Sequence, residues 1–306
     1  MKTKNLIKAI PLWQAEKIKF VKTSTYFNYM VLLEKHIMPF LKSSNSINKE
    51  NVQNWVLEKL KDGLSLKTTK CLLIVLNNIV KFCADKGIIQ YEKFCVKFPQ
   101  NISQNQTEIL TKQQHKHILQ HIKNNFSFKN LGIYICLSCG LRIGEVCALT
   151  WNDVNLEKQV IAVNKTLQRV YSPTNNKFKT EILIDSPKTI NAYREIPLNR
   201  ELVNIIKNCI KLVNNENFII SNNLKPIEPR SYRNYYKKFM KNLEMPTIKF
   251  HCLRHSFATR CIESKCDYKT LSSLLGHANI STTLNLYTHP NLEQKKVCIN
   301  KMISCL

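Results

Sequence analysis

The sequence predicts a mainly α protein with a small antiparallel β-sheet in its C-terminal domain, preceded by an N-terminal all-α bundle. Three observations carry this. Leu72, Val75, Leu76, Ile79, Val80 and Cys83 repeat at i, i+3, i+4, i+7, i+8 and i+11, a full helical stripe. From Gln159 the chain turns β-like: VIAVNKTLQRV, a turn-rich YSPTNNK, then KTEILIDS. Between these halves, Phe98-Pro99-Gln100 and the following NISQNQTE are polar and proline-broken, the mark of a domain boundary. The expected organisation is a basic lead-in or arm over 1–22, a helical domain over 23–98 and a linker over 99–108. A second domain follows over 109–290, and a tail over 291–306.

Each element has its own warrant. Residues 1–22 are basic and weakly patterned, either a flexible arm or the approach to the first helix. Thr23-Ser24-Thr25 offers N-cap chemistry for a helix to about Lys42, with Tyr26, Tyr29, Met30, Leu33 and Ile37 on one stripe. A second helix covers roughly Lys49 to Leu60, closed by Lys61-Asp62-Gly63, and Ser65 opens a third that ends at Gly87. Lys61, Lys67, Lys70, Lys81 and Lys86 fall off the apolar stripe, free to meet phosphate. In the second domain, Thr111 and Gln114 form a capping box. Helices are expected at Phe128–Cys139, Leu141–Trp151, Asn199–Asn214 and Ser231–Leu243, with the strands set between the second and third of these.

Charge narrows the partner. The 306 residues carry 46 Lys+Arg against 21 Asp+Glu, a formal +25, which implies strong attraction to a polyanion, and nucleic acid above others. Twelve cysteines show no disulfide framework, and no secretory segment opens the chain. Cys136 and Cys139 form a C-x-x-C, but the apolar run around Cys136 reads as a buried helix rather than a metal ribbon. Free thiols point to a reducing compartment, and no apolar run reaches the ~20 residues of a bilayer span, so a cytoplasmic protein is expected.

The chemistry concentrates near the C-terminus. His251 and Arg254 are three apart, so a helix would present both from one face. Gly276 would end a helix, with His277 in the turn beyond it, and Thr282-Thr283 leads to Tyr287. Two imidazoles, a guanidinium and a phenol could converge on one phosphate diester. Upstream, Arg142 follows Gly140 near a helix start, where it could fork onto two phosphate oxygens, and Glu145 could orient it. Lys188, between Pro187 and Thr189, is an ordinary solvated lysine unless its turn reaches a groove, where it could protonate a leaving oxygen. By composition alone, Tyr171, Tyr193 and Tyr268 are equally eligible nucleophiles.

GLRIGEVCALTWNDV, SPKTINAYREIPL, HCLRHSFATR and LGHANISTTLNLYTH, in that order, resemble the four catalytic-domain signatures of the tyrosine recombinases, or phage integrases. TSTYFNYMVLLEKHIMPFL and GLSLKTTKCLLIVLNNIVKFCADKGII resemble their core-binding domain, and the whole is most similar to integrases of Gram-positive conjugative transposons and prophages. The resemblance covers roughly residues 15 to 290. It implies an α+β tyrosine-recombinase catalytic domain over 109–290 and a site-specific recombinase that integrates or excises a mobile element through a 3′-phosphotyrosyl intermediate. Arg142 and Arg254 would clamp the scissile phosphate, and Tyr287 would attack it. Lys188 would protonate the 5′ oxygen, His251 would accept the phenol proton, and His277 would hydrogen-bond the phosphate.

No metal or nucleotide cofactor is implied, because the tyrosyl bond conserves the energy for rejoining. The implied partners are double-stranded DNA gripped by a C-shaped clamp and three further copies of the chain on paired sites. A directionality factor and a host DNA-bending protein are open partners, and a nucleoid-associated location in a bacterium is implied. Cys252 stands where relatives often carry Asp and is read as buried and non-catalytic. The lead-in is short for an arm-binding domain. The tail, with Val297, Ile299, Met302 and Ile303, would dock on a neighbouring subunit or pack on its own domain. A type IB-like topoisomerase and an inactive DNA-binding protein are the alternatives.

Overall fold

A computed structural model describes residues 1–99, 108–174, 177–187, 189–277, 279–281, 296, 299, 300 and 302, the side chains of 171–179 excepted. The chain divides into two compact units, Met1–Gln104 with Val170–Glu181, and Asn105–Arg169 with Ile182–Leu306. Most of the linker expected over 99–108 lies outside the described residues.

The first unit is all-helical over its described N-terminal residues. Helix α1 spans Thr3–Phe20, and its Leu6, Ala9, Ile10 and Trp13 are buried. The segment that reads as either a flexible arm or the approach to the first helix is itself the first helix and is built into the core, because four apolar side chains on one face outweigh its weak overall patterning. Helix α2 (Thr23–Leu32), a π-helical turn (Leu33–Ile37) and α3 (Met38–Ser43) follow without a break. Thr23, Ser24 and Thr25 do not act as the cap expected of them: Lys22 is the N-cap residue, and its side chain does not cap the helix. Helix α4 covers Lys49–Lys61 and α5 Leu66–Asp85. The α5 stripe of Leu72, Val75, Leu76, Ile79, Val80 and Cys83 is wholly buried. Ser65 caps α5 by accepting from the Thr68 amide at 3.1 Å. Lys61, Lys67, Lys70, Lys81 and Lys86 are exposed, although Lys86 pairs with Glu16 at 3.4 Å.

In the second unit, α6 (Lys112–Asn124) begins at the Thr111–Gln114 capping box, and α7 (Phe128–Cys139) ends at Gly140. The helix expected over Leu141–Trp151 is shorter: α8 is Ile143–Ala148, followed by a 3-10 turn at Trp151–Asp153. Leu149 and Thr150 leave the helix because they bind the chain near Ile219 and Phe218. Residues 145–151 are all buried, so no stripe marked the helix end in the sequence.

Strands β1 (Val154–Asn155) and β2 (Val160–Val163) join β5 (Arg194–Pro197) in an antiparallel three-stranded sheet. Strand β3 (Thr166–Thr174) pairs with β4 (Lys177–Asp185) in a separate two-stranded sheet. The run expected as one strand from Gln159 breaks at Asn164-Lys165. Both side chains turn to buried Asp153, Lys165 Nζ at 2.7 Å and Asn164 Nδ2 at 3.3 Å. Helices α9 (Arg200–Ile210), α10 (Pro229–Asn242), α11 (His251–Glu263) and α12 (Tyr268–Leu275) complete the described unit. Buried faces of α6, α7, α9, α10 and the three-stranded sheet form one core with the first residues of α11. The protein is thus mainly α with small antiparallel strand pairings. Of the tail, Ile299 and Met302 are described and exposed, while Val297 and Ile303 lie outside the described residues. Among the described residues no helix is long and apolar enough to cross a membrane.

Candidate active site

The site is assembled around one helix end. Helix α12 stops at Gly276, whose φ of 63° is left-handed, so the chain turns and leaves the last carbonyls without helical partners. Three guanidiniums take them in succession. Arg194 Nε donates to Leu274 O at 2.7 Å, Arg254 Nη2 to Leu275 O at 2.6 Å, and Arg142 Nη2 to Gly276 O at 3.3 Å. Asn191 Nδ2 reaches the next carbonyl, that of His277, at 3.4 Å. Cations at a helix C-terminus are favoured by its partial negative charge, which makes the clustering of three arginines tolerable. Gly276 is needed for space as well as for φ: a Cβ there would lie 3.0 Å from Asn191 O and 3.1 Å from Arg194 Cδ.

Arg254 also binds the end of a second helix. Its Nη1 donates to Gly140 O, the cap of α7, at 2.8 Å, and the residue is 3% exposed. Its position follows from α11, which packs its buried first turns on α7. Arg142 stands just before α8. Its backbone N–H donates to Glu145 Oε2 and its Nη1 to Glu145 Oε1, both at 2.8 Å. The guanidinium is oriented as the i, i+3 spacing suggested, and the side chain remains 37% exposed.

Glu145 is 4% exposed and also receives Arg194 Nη2 on Oε2 at 2.9 Å and Nη1 on Oε1 at 3.2 Å. Burial pushes its pKa up, but the bonds and charge of Arg194, then Arg142, overcome this and hold it at about 2.

The imidazoles sit in this cationic field. His251 opens α11 with its ring edge-on to that of His255, centroids 4.6 Å apart. Its pKa is lowered by loss of water around the ring and by Arg254 and Arg142, against an opposing pull from Glu145. His277 is held down to about 4 by burial first, then by Arg254, Arg142 and Arg194. Both rings are therefore neutral at pH 7, one able to accept a proton and the other to donate a hydrogen bond.

His255 is driven down to about 4 by burial, His251 and Arg254. An imidazole whose folded pKa lies below its unfolded 6.5 adds stability that is full above 6.5 and lost as pH falls toward 4, here about 3 kcal/mol. Chemical denaturation between pH 7 and 4 should show the parent losing that much more stability than His255→Phe. Parallel pH profiles would contradict it.

Of the six residues singled out in the sequence, the structure brings Arg142, His251, Arg254 and His277 together. Lys188 and Tyr287 lie outside the described residues. Cys252 is buried, as read from the sequence, and so are Cys136 and Cys139. Arg194 and Asn191 were missed. A signal for Arg194 existed: in β5 it alternates onto the same side as buried Ile196, and an inward arginine requires a carboxylate. Lys165 also lies in this unit, but its ammonium is engaged by Asp153 at 2.7 Å and Thr150 Oγ1 at 2.9 Å.

Three guanidiniums, two of them on the sequence-predicted residues Arg142 and Arg254, and two imidazoles thus gather about one turn, groups suited to holding a phosphate diester. The chain belongs to the phage integrase family, whose model matches residues 108–294, and so to the tyrosine recombinases, site-specific DNA strand transferases. It is 27% identical to "Tyrosine recombinase XerC-like" of Caldanaerobacter subterraneus subsp. tengcongensis, over 92% of this chain and 78% of that one. It is 26% identical to "Transposase from transposon Tn916" of Enterococcus faecalis, over 89% of this chain and 70% of that one. Among solved structures, the Tn1549 transposon integrase in complex with transposon right end DNA superposes with a TM-score of 0.76 at 24% identity. That match covers 99% of this chain and 100% of the other, and supports the fold.

Proposed function

We propose that the chain integrates and excises a mobile element by cutting and rejoining DNA through Tyr287. The observation that carries this reading is the convergence of Arg254 and Arg142 on the successive carbonyls of Leu275 and Gly276, at the turn that His277 continues. Arg142 and Arg254 would take the non-bridging oxygens of the scissile phosphate, where negative charge grows in the transition state. Tyr287 Oη attacks phosphorus, and the bond to the 5′ oxygen breaks as a 3′-phosphotyrosyl bond forms. His251, neutral, accepts the phenol proton; a free phenol of pKa about 10 needs such help. Lys188 returns a proton to the departing oxygen. His277 donates a hydrogen bond to the phosphate. Exchanging four strands between two duplexes takes four tyrosines, hence a homotetramer on paired sites. Residues 23–98 would supply much of the DNA grip and 109–290 the chemistry. A directionality factor or a host DNA-bending protein could bias the outcome, and a cytoplasmic, nucleoid-bound location follows from the substrate.

The test is a nicked suicide duplex made from the end of the element that carries the gene. A covalent protein–DNA adduct should form, and peptide mapping should place the nucleotide on Tyr287. No adduct would favour a binding-only protein, and supercoil relaxation without recombinants would favour the topoisomerase reading. In the same assay Lys188→Ala should slow cleavage on the order of 100-fold while DNA affinity changes by less than about 3-fold, as befits a proton donor acting in the transition state. Equal losses in both would reduce Lys188 to a phosphate contact.

A further inference from the structure

We infer that Arg194 is a positioning residue for strand cleavage: through Glu145 and the α12 end it sets the Arg142 guanidinium and the His277 turn in one frame. The inference rests on the recombinase reading above.

Glu145 and Arg194 form the hub. The two carboxylate oxygens take four donors, two from Arg142 and two from Arg194, so Glu145 is saturated. Arg194 spends its remaining reach on backbone: Nε on Leu274 O at 2.7 Å and Nη1 on Ala192 O at 3.1 Å. Its side chain is 5% exposed, so Arg194 offers nothing to DNA directly. It therefore acts through its two partners.

On one side lies Arg142. A carboxylate left with one arginine can close on it as a neutral, bidentate pair, which takes two of its donors and cancels its charge. A second guanidinium on the same carboxylate leaves the cluster with one net positive charge and keeps Glu145 from wrapping around Arg142. Arg142 then contacts Glu145 with Nη1 and turns Nη2 to Gly276 O, while its side chain stays 37% open. On the other side, the Leu274 carbonyl precedes by one residue the carbonyl that Arg254 holds, and His277 follows three residues on. The rigid planar fork of Arg194 thus transmits the position of β5, paired with β2 at Val163↔Arg194, to both phosphate-facing groups.

A mere structural staple would also destabilise when cut, so the test separates the two roles by substrate charge. Parent, Arg194→Met and Arg194→Lys full-length proteins are compared in single-turnover cleavage of two suicide duplexes. One carries a phosphodiester and the other a methylphosphonate at the scissile position. The methyl group removes the negative charge that a positioned guanidinium serves. Arg194→Met should cut the phosphodiester on the order of 100-fold slower with DNA affinity within about 3-fold, and the deficit on methylphosphonate should shrink below about 5-fold. Arg194→Lys, which keeps the charge without the fork, should fall between. Should Arg194→Met fail to fold, the same substrate-dependent deficit is read from Arg194→Lys. Equal deficits on both substrates, or none on either, would overturn the positioning role while leaving the recombinase reading intact. No parent adduct on the phosphodiester would overturn that reading, and this inference with it.

Discussion

Tyr287→Phe should bind its DNA site as tightly as the parent and form no covalent adduct. The substitution removes one oxygen and leaves the ring, so packing and the electrostatic hold on the backbone persist. The lost atom is the one that would bond to phosphorus, and nothing in the remaining phenyl ring can replace it. Removing a nucleophile from a cooperating set costs all of the covalent catalysis, so cleavage on a suicide duplex should fall by at least about 10^4-fold. Gel-shift titration and denaturing electrophoresis of the same samples separate the two effects. A persisting adduct would move the nucleophile elsewhere, Tyr193 and Tyr268 being two that composition also offers; Tyr193 is 48% exposed.

Arg254→Met should slow cleavage severely and also weaken the fold. The guanidinium is 3% exposed and joins two helix ends, Gly140 O at 2.8 Å and Leu275 O at 2.6 Å. Methionine fills similar volume but donates nothing, leaving buried carbonyls unpaired at about 1–3 kcal/mol each. Relief from desolvating a charge offsets part of this, so a net loss of about 3 kcal/mol is expected in chemical denaturation. Cleavage should drop on the order of 10^3-fold even at a temperature where the variant is fully folded, because a preplaced cation is missing where charge develops. Arg254→Lys should regain stability before activity, since one ammonium can meet a carbonyl but cannot span both helix ends and the phosphate. Full cleavage by either variant would remove Arg254 from the clamp.

Where local signals were strong, sequence and structure agree. The α5 stripe, the Thr111–Gln114 capping box and the Gly140 and Gly276 helix stops are each short-range devices, written within a few residues of where they act. Glu145 as the partner of Arg142 is legible for the same reason, at i, i+3. The misreadings have long-range causes. The α1 helix is drawn into the core by contacts its own pattern barely announces. The α8 helix stops early because Leu149 and Thr150 are claimed by residues near Phe218, some seventy positions on. The break between β2 and β3 is dictated by Asp153, which recruits Asn164 and Lys165.

By itself the sequence determined the two-part, mainly α plan, the basic character suited to DNA, and a set of candidate residues for phosphoryl transfer. Residue type and periodicity are local properties, and the ordered signatures add the family. The tertiary structure decided that the carbonyls of Leu274, Leu275 and Gly276 each receive an arginine, from positions 194, 254 and 142. The His251–Tyr287 stretch alone contains one of those three. The others arrive only when β5 and the α7–α8 turn pack beside the end of α12. A helix leaves its last carbonyls unpaired wherever it stops, and which side chains meet them depends on what the fold brings there.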